Sequence, residues 1–272
     1  MYLTSMTHEE LYAEVHKDLI EISTKINMFM DRVRKKTKSM MPFPVPTQRM
    51  TIITTRKNVW TVVGKYNSFM QGVGFQAYAP IIGTSNNGYI QMTGFKSRDI
   101  VMHYTAHFMH RYKERYIDHY QIDCKGENLF EYFVYNNPQV LYTHKNNGGC
   151  FIVSDHGIAV ADLNDGLQFL THVTFLGDDE LTLKKQFIYD EEIKIYKGAL
   201  ELKRLKSRKQ KDDIVTIWKI AKKYNAGFEM VKRWYQWNGV EVSEDYLHKY
   251  IDLIEKYNIQ TLDKLEELIS QQ

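Results

Sequence analysis

At 272 residues, 43% of them hydrophobic and 25% charged, the chain is long enough for one large domain or two small ones and holds enough apolar residues for a real core. Its net charge of +3 points to no partner by itself. Two cysteines, Cys124 and Cys150, exclude a disulfide framework and a four-thiolate zinc site, and the lack of a signal peptide or an apolar run of about 18 residues reads as a soluble, cytoplasmic protein with no membrane partner.

From Thr7 to about Lys38, Leu11, Val15, Leu19, Ile22, Ile26, Phe29 and Val33 recur at three- and four-residue steps, which predicts one long amphipathic helix. Thr7 and Glu10 have the spacing of a capping box at its start. The helix stops before "PFPVP", whose prolines force an extended linker, so residues 1–45 read as a helix plus a Pro-rich connection. Residues 50–104 are β-rich: "MTIITT", "NVWTVVGKY", "GYIQMTGF" and "RDIVMHY" are β-branched and aromatic, and "NNG" signals a tight turn. Helical segments follow at 105–121 and 127–136. "CFIVS" and "GIAVADL" on either side of "DHG", then "LQFLTHVTFL" after "NDG", predict an antiparallel meander. From Asp178 onward the pattern is helical, with breaks near Asp212, Asn225–Gly227, Asn238–Val242 and Asn258. The expected fold is α+β: a small antiparallel sheet with packed helices over 46–177, flanked by the N-terminal helix and a basic helical region at 178–272. Strands and helices are segregated rather than alternating, which argues against a doubly wound parallel sheet.

The densest chemistry lies in "HYTAHFMHRYKERY", residues 103–116. With Thr105 as cap, a helix from Ala106 places Phe108, Met109, Tyr112, Tyr116 and Tyr120 on one side, and His107, His110, Arg111, Glu114, Arg115 and Asp118 on the other. Arg111 with Glu114, His110 with Glu114 and Arg115 with Asp118 are at helical pairing distances, as a solvated face would have them. His107, Arg111 and Arg115 also form an i, i+4, i+8 row that sets two like charges side by side. A solvated face gains nothing from that row, whereas a phosphate site does. A zinc site would need a third ligand and the glutamate of an H-E-x-x-H element, and neither is present, so no metal is assigned.

The H-x-x-x-R-x-x-x-R pattern in "HFMHRYKER" resembles the helix motif of barnase/EndoU/RelE-type toxin ribonucleases, over about residues 98–180. The resemblance implies a helix packed on a small antiparallel sheet, with a Thr or Ser near the end of a late strand completing the site. Thr174 stands there, with His172 two residues earlier on the strand. It further implies His107 as general acid or base, Arg111 and Arg115 as phosphate clamps and Thr174 as a hydroxyl contact, with His172 and Glu114 as further candidates and no cofactor. Histidine titrates near neutrality and arginine donates a planar fork to phosphate, so the residue types suit RNA cleavage without metal. His110, the "DCKG" interruption and the long helical flanks depart from the family pattern.

Between Lys194 and Gln236 there are 13 Lys or Arg against 4 Asp or Glu, a local charge of +9. Lys203, Arg204, Lys206, Arg208 and Lys209 form its densest run, which reads as a solvated helix face or as a nucleic-acid contact. Within it, "IAKKYNAGFEMVKRW", residues 220–234, resembles a helix-turn-helix. That resemblance implies Ala221 and Asn225 at the small and turn positions, Val231 and Trp234 buried, and Glu229, Lys232 and Arg233 facing a groove. Gly227 and Phe228 depart from the pattern. The leading expectation is therefore a ribonuclease-like protein acting on nucleic acid, RNA before DNA, with an inhibitor protein as a further partner that the toxin resemblance admits. A non-catalytic DNA-binding protein and a protein-interaction module are the alternatives.

Overall fold

The computed structural model describes the chain except residues 38–44, 69–71, 84–87, 94–99, 125–126, 138–142, 145–148, 165, 167, 178–180, 182, 206 and 271–272. The chain divides into two compact units. The first comprises Met1–Asn137, Thr143–Ile152 and His156–Asp178, and the second is Asp179–Gln272 with the short segments Pro138–Tyr142 and Val153–Asp155.

Helix α1 (His8–Thr37) opens with the expected capping box. The Thr7 amide donates to Glu10 Oε2 at 2.8 Å, and the Glu10 amide donates to Thr7 Oγ1 at 3.2 Å. The apolar stripe does not lead a separate segment. Leu11, Val15, Ile22, Ile26 and Phe29 are buried in one cluster with Ile52, Trp60, Val62, Ala77, Ile90 and Val101 of the sheet. The "PFPVP" stretch is not all linker either, because Val45 and Pro46 already belong to the first strand; its earlier prolines and the "NNG" turn lie outside the described residues.

Among the described residues nine strands form one sheet: β1 (Val45–Ile53), β2 (Val59–Ser68), β3 (Gly72–Ile81), β4 (Gly88–Thr93), β5 (Ile100–Tyr104), β6 (Thr143–His144), β7 (Gly149–Ser154), β8 (Gly157–Asn164) and β9 (Phe169–Leu176). Their spatial order is β1-β2-β3-β4-β5-β9-β8-β7-β6. The fold is α+β, but the expectation of a small, purely antiparallel sheet needs correction. The sheet is large, and it is mixed, because β9 inserts beside β5 in parallel with Val101 opposite Phe169 and Tyr104 opposite His172. β3 was absent from the strand expectations. It lies within the β-rich stretch 50–104 without a strand named for it, and it is a central strand between β2 and β4 in spite of its glycines and Pro80.

The turn between β7 and β8 needs a glycine. Gly157 has φ 140°, and a Cβ there would collide with the Leu176 carbonyl of the neighbouring β9. Gly157→Ala is expected to lower stability by about 1–3 kcal/mol in urea unfolding; an unchanged midpoint would contradict this packing.

Helices α2 (Ala106–Tyr112) and α3 (Leu129–Asn136) lie on the sheet through aromatic contacts. Tyr89 stacks on Phe130 at 4.6 Å, and Phe133 meets Phe108 edge-on at 5.2 Å. The expected α-helix over 105–121 is not continuous, because residues Lys113–Asp118 form a π-helical turn. The wider turn brings together residues five apart, so Asp118 pairs with Lys113 at 2.7 Å rather than with Arg115.

The second unit contains α4 (Leu183–Arg204), α5 (Arg208–Asp212), α6 (Ile214–Lys223), α7 (Gly227–Trp237), α8 (Glu244–Lys256) and α9 (Leu262–Ser270). Ile195, Ala199 and Leu202 of α4 share a core with Ala221, Met230, Val231, Trp234, Ile251 and Leu265. The expected breaks near Asp212, Asn225–Gly227, Asn238–Val242 and Asn258 are found, with Asn225 at a positive φ of 53° in the α6–α7 turn. The chain also breaks between Arg204 and Arg208, inside the basic run, where the sequence marks none. No helix among the described residues is long and apolar enough to cross a membrane.

Candidate active site

Helix α2 starts where strand β5 ends, and one residue fixes the junction. Thr105 Oγ1 accepts the Phe108 amide at 3.1 Å as N-cap, and its own hydroxyl lies 3.1 Å from the carbonyls of His172 and Val173 on β9. The Thr105 amide also donates to the His172 carbonyl at 3.2 Å. The cap therefore ties the start of α2 to the strand that carries Thr174. Thr105→Ala is expected to cost about 1–2 kcal/mol of stability, read as a lower thermal midpoint, because it removes both the cap and the tether.

Phe108, Met109 and Tyr112 are buried, with Phe108 and Tyr112 against Phe175. This turns His107 and Arg111 outward. His107 is exposed, and its Nε2 lies 3.4 Å from Thr174 Oγ1, a long hydrogen-bonding distance of the kind common in unliganded active sites. One turn on, Arg111 pairs with Glu114 at 2.6 Å and holds that carboxyl below the usual range. Both partners are substantially solvated, so the pair contributes little to stability. Arg115 bends back to the strand and donates to the Phe175 carbonyl. The structure thus brings His107 beside Thr174 and Arg115 onto the Phe175 carbonyl at the end of β9, while Arg111, on the same helix, is turned to Glu114.

His172 takes a different place. It is fully buried, stacked on Tyr104 at 4.1 Å and set edge-on to Phe108 at 5.4 Å, with Nδ1 3.3 Å from the His103 carbonyl. Burial pushes its imidazole down to about 3. A neutral, enclosed ring cannot exchange a proton with a substrate, so His172 leaves the candidate set and becomes part of the sheet's core. Among the described residues, no group of three or more His, Cys, Asp or Glu could hold a metal ion.

A second histidine, His156 in the "DHG" turn between β7 and β8, is also built into the packing. His156 stacks on Tyr116 at 3.8 Å, and its Nδ1 lies 3.0 Å from Tyr112 Oη and 2.8 Å from Asn137 Nδ2. Burial lowers its pKa to about 4. The available signal was the four-residue tyrosine series Tyr112, Tyr116 and Tyr120, which runs from α2 through the π-helical turn.

In the second unit, two of the cations proposed for nucleic acid, Lys232 and Arg233, are engaged in ion pairs. Lys232 pairs with Glu244 at 2.5 Å, and Arg233 pairs with Glu192 and Glu229 at 2.6 and 2.7 Å with little exposure. Glu229, expected to face a groove, is thus an internal partner. Ala221, Val231 and Trp234 are buried in the helical core. Lys203 and Arg204 are exposed at the end of α4. Lys206 lies outside the described residues, as do the side chains of Arg208 and Lys209. No protein-family model matches this chain, and neither a curated protein nor a solved structure matches it at a significant level.

Proposed function

We propose that the surface formed by α2 and the end of β9 is the active site of an endoribonuclease that works with side chains alone. The observation that carries this reading is the approach of His107 Nε2 to Thr174 Oγ1 at 3.4 Å, on open surface, with a releasable arginine one helical turn away. In this reading His107 takes the proton from a ribose 2′-OH. The 2′ oxygen attacks the adjacent phosphorus and the 5′ oxygen leaves, taking a proton from solvent, so that a 2′,3′-cyclic phosphate forms. Arg111 exchanges its exposed bond to Glu114 for the phosphate oxygens, where a two-pronged contact is stronger. Thr174 donates its hydroxyl to a non-bridging oxygen. Arg115 has a narrower part than the sequence suggests: it holds the π-helical end of the helix against β9. The exposed Lys203 and Arg204 supply a salt-sensitive contact to the polynucleotide, and the substrate is a cytoplasmic RNA.

The test is cleavage of end-labelled RNA and of DNA of the same sequence in excess EDTA. RNA cut to cyclic-phosphate ends, with DNA left intact, supports the reading, because only RNA has the 2′-OH. DNA cut equally well, or RNA untouched, overturns it.

A further inference from the structure

Strands β1 to β5 pair in sequence order and β9 to β6 in reverse, and among the described residues these two runs of strands meet at one joint, the parallel seam between β5 and β9. The seam is short, four residue pairs from Val101 with Phe169 to Tyr104 with His172. It can part without breaking a pair inside either run.

Three histidines crowd this joint. His103 lies on β5 opposite Thr171. Its Nδ1 is enclosed and has no hydrogen-bond partner among the described residues, so a proton placed there would find no acceptor. His8, the first residue of α1, closes over the same spot. Its ring stacks on Phe169 at 5.1 Å and sits 6.2 Å from the His103 ring, and its Nε2 lies 3.4 Å from Thr171 Oγ1. On the α2 side, His172 holds its Nδ1 3.3 Å from the His103 carbonyl.

The surroundings do little to offset a charge. From α1, His8 itself faces His103 and has Glu9 beside it. From β4, Ile90 and Gly88 bring no ionisable group. His172 is enclosed by Phe108 and by Tyr104, whose hydroxyl donates to Gln91. Asp162, opposite Thr171 on β8, is exposed. Burial first, and then the neighbouring His8, hold the His103 imidazole down to about 4.

We propose that His8, His103 and His172 make the β5–β9 seam an acid-operated latch. It is closed while the rings are neutral, and it opens locally, with both runs of strands intact, when an enclosed ring takes a proton. Opening carries Thr174 away from His107, so mild acid switches off the α2–β9 surface. That regulation rests on the ribonuclease reading, whereas the opening itself does not.

The test is amide hydrogen exchange of the full chain at pH 7 and pH 5, read by mass spectrometry and corrected for the intrinsic pH dependence of exchange. The folded value of His103 lies below the ordinary 6.5, so closure is complete above pH 6.5 and weakens as the pH falls. Between pH 7 and pH 5 the open fraction is expected to rise about 20-fold or more. It should appear as faster exchange over residues 100–105 and 168–172, while β2 and β3 change by less than about twofold. His103→Phe, which keeps a ring beside Phe169, is expected to lose most of the rise. His8→Gln, at an exposed position and so the milder change, is expected to reduce it about twofold or more. Thermal unfolding at pH 7 checks that both variants fold. An equal rise over all strands, no rise at the seam, or a rise unaltered in folded His8→Gln would each overturn the proposal. A seam that opens as expected in a chain that never cleaves RNA supports the latch and overturns the ribonuclease reading alone.

Discussion

His107→Ala is expected to lower RNA cleavage in excess EDTA by about 10²- to 10⁴-fold, the usual worth of a positioned general acid or base. Its stability should stay within about 0.5 kcal/mol of the parent, because the ring is exposed and its described contact is the long approach to Thr174. That separation of rate from stability marks a residue that works on substrate. Three neighbours sharpen the result. His110→Ala, three residues on and equally exposed, should leave the rate unchanged. Arg111→Lys should fall well below the parent, since a lysine cannot reproduce the two parallel bonds to phosphate. Glu114→Gln should not slow the reaction, because it frees Arg111 from its ion pair. If Glu114→Gln abolishes cleavage while His107→Ala does not, the roles are reversed and the carboxylate is the base. Full activity in both His107→Ala and Arg111→Ala would remove the α2–β9 surface from consideration.

The second large effect is on acid stability. The imidazole of His172 is held at about 3 in the folded protein, against an ordinary value of 6.5. Its folded pKa lies below its unfolded one, so on acidification the unfolded chain takes up the proton first. Stability is complete above about pH 6.5 and is lost as the pH falls toward 3. At pH 4 this one residue removes about 3 kcal/mol, a large part of the stability of a typical domain. His103 and His156, both lowered to about 4 by burial, act in the same direction. Urea unfolding at pH 7 and pH 4 should therefore show a steep loss in the parent. In His172→Phe, whose ring can keep the stack on Tyr104, the loss should shrink by about 3 kcal/mol. An identical slope in parent and variant would mean that the buried ring is not what titrates.

Local chemistry was legible in the sequence, and long-range geometry was not. The capping box and the stripe of α1 act between residues three and four apart, so both could be read directly. The breaks between the C-terminal helices follow from turn residues such as Asn225, which sit where the backbone demands them. β3 falls in the stretch expected to be β but could not be delimited, because "GVGFQAYAPI" mixes loop-forming residues into a strand whose identity comes from its two neighbours. The π-helical turn leaves no mark, since tyrosines four apart look alike in either helix. In the candidate site, His107 and Thr174 could be named from a helix pattern and a strand end. The burial of His172 could not be foreseen, because it depends on Tyr104 and Phe108 closing over it. The neutralisation of Arg233 depends on Glu192 in another helix, and no local spacing encodes that partner.

The parallel seam between β5 and β9 decides when the molecule can acquire its chemistry. Val101 meets Phe169 only after α2, α3 and the hairpin strands have left the chain's growing end, so this contact closes a long loop and is entropically among the slowest to form. Until β9 slots in, α2 has no Thr174 beside His107, no Phe175 carbonyl for Arg115 and no His172 carbonyl for its cap. A partly synthesised chain, or one whose seam has locally opened, therefore carries the helix without the site. For the proposed ribonuclease site, assembly and sheet closure are then a single event, and a ligand that pries β9 from β5 would abolish cleavage without touching a reacting group.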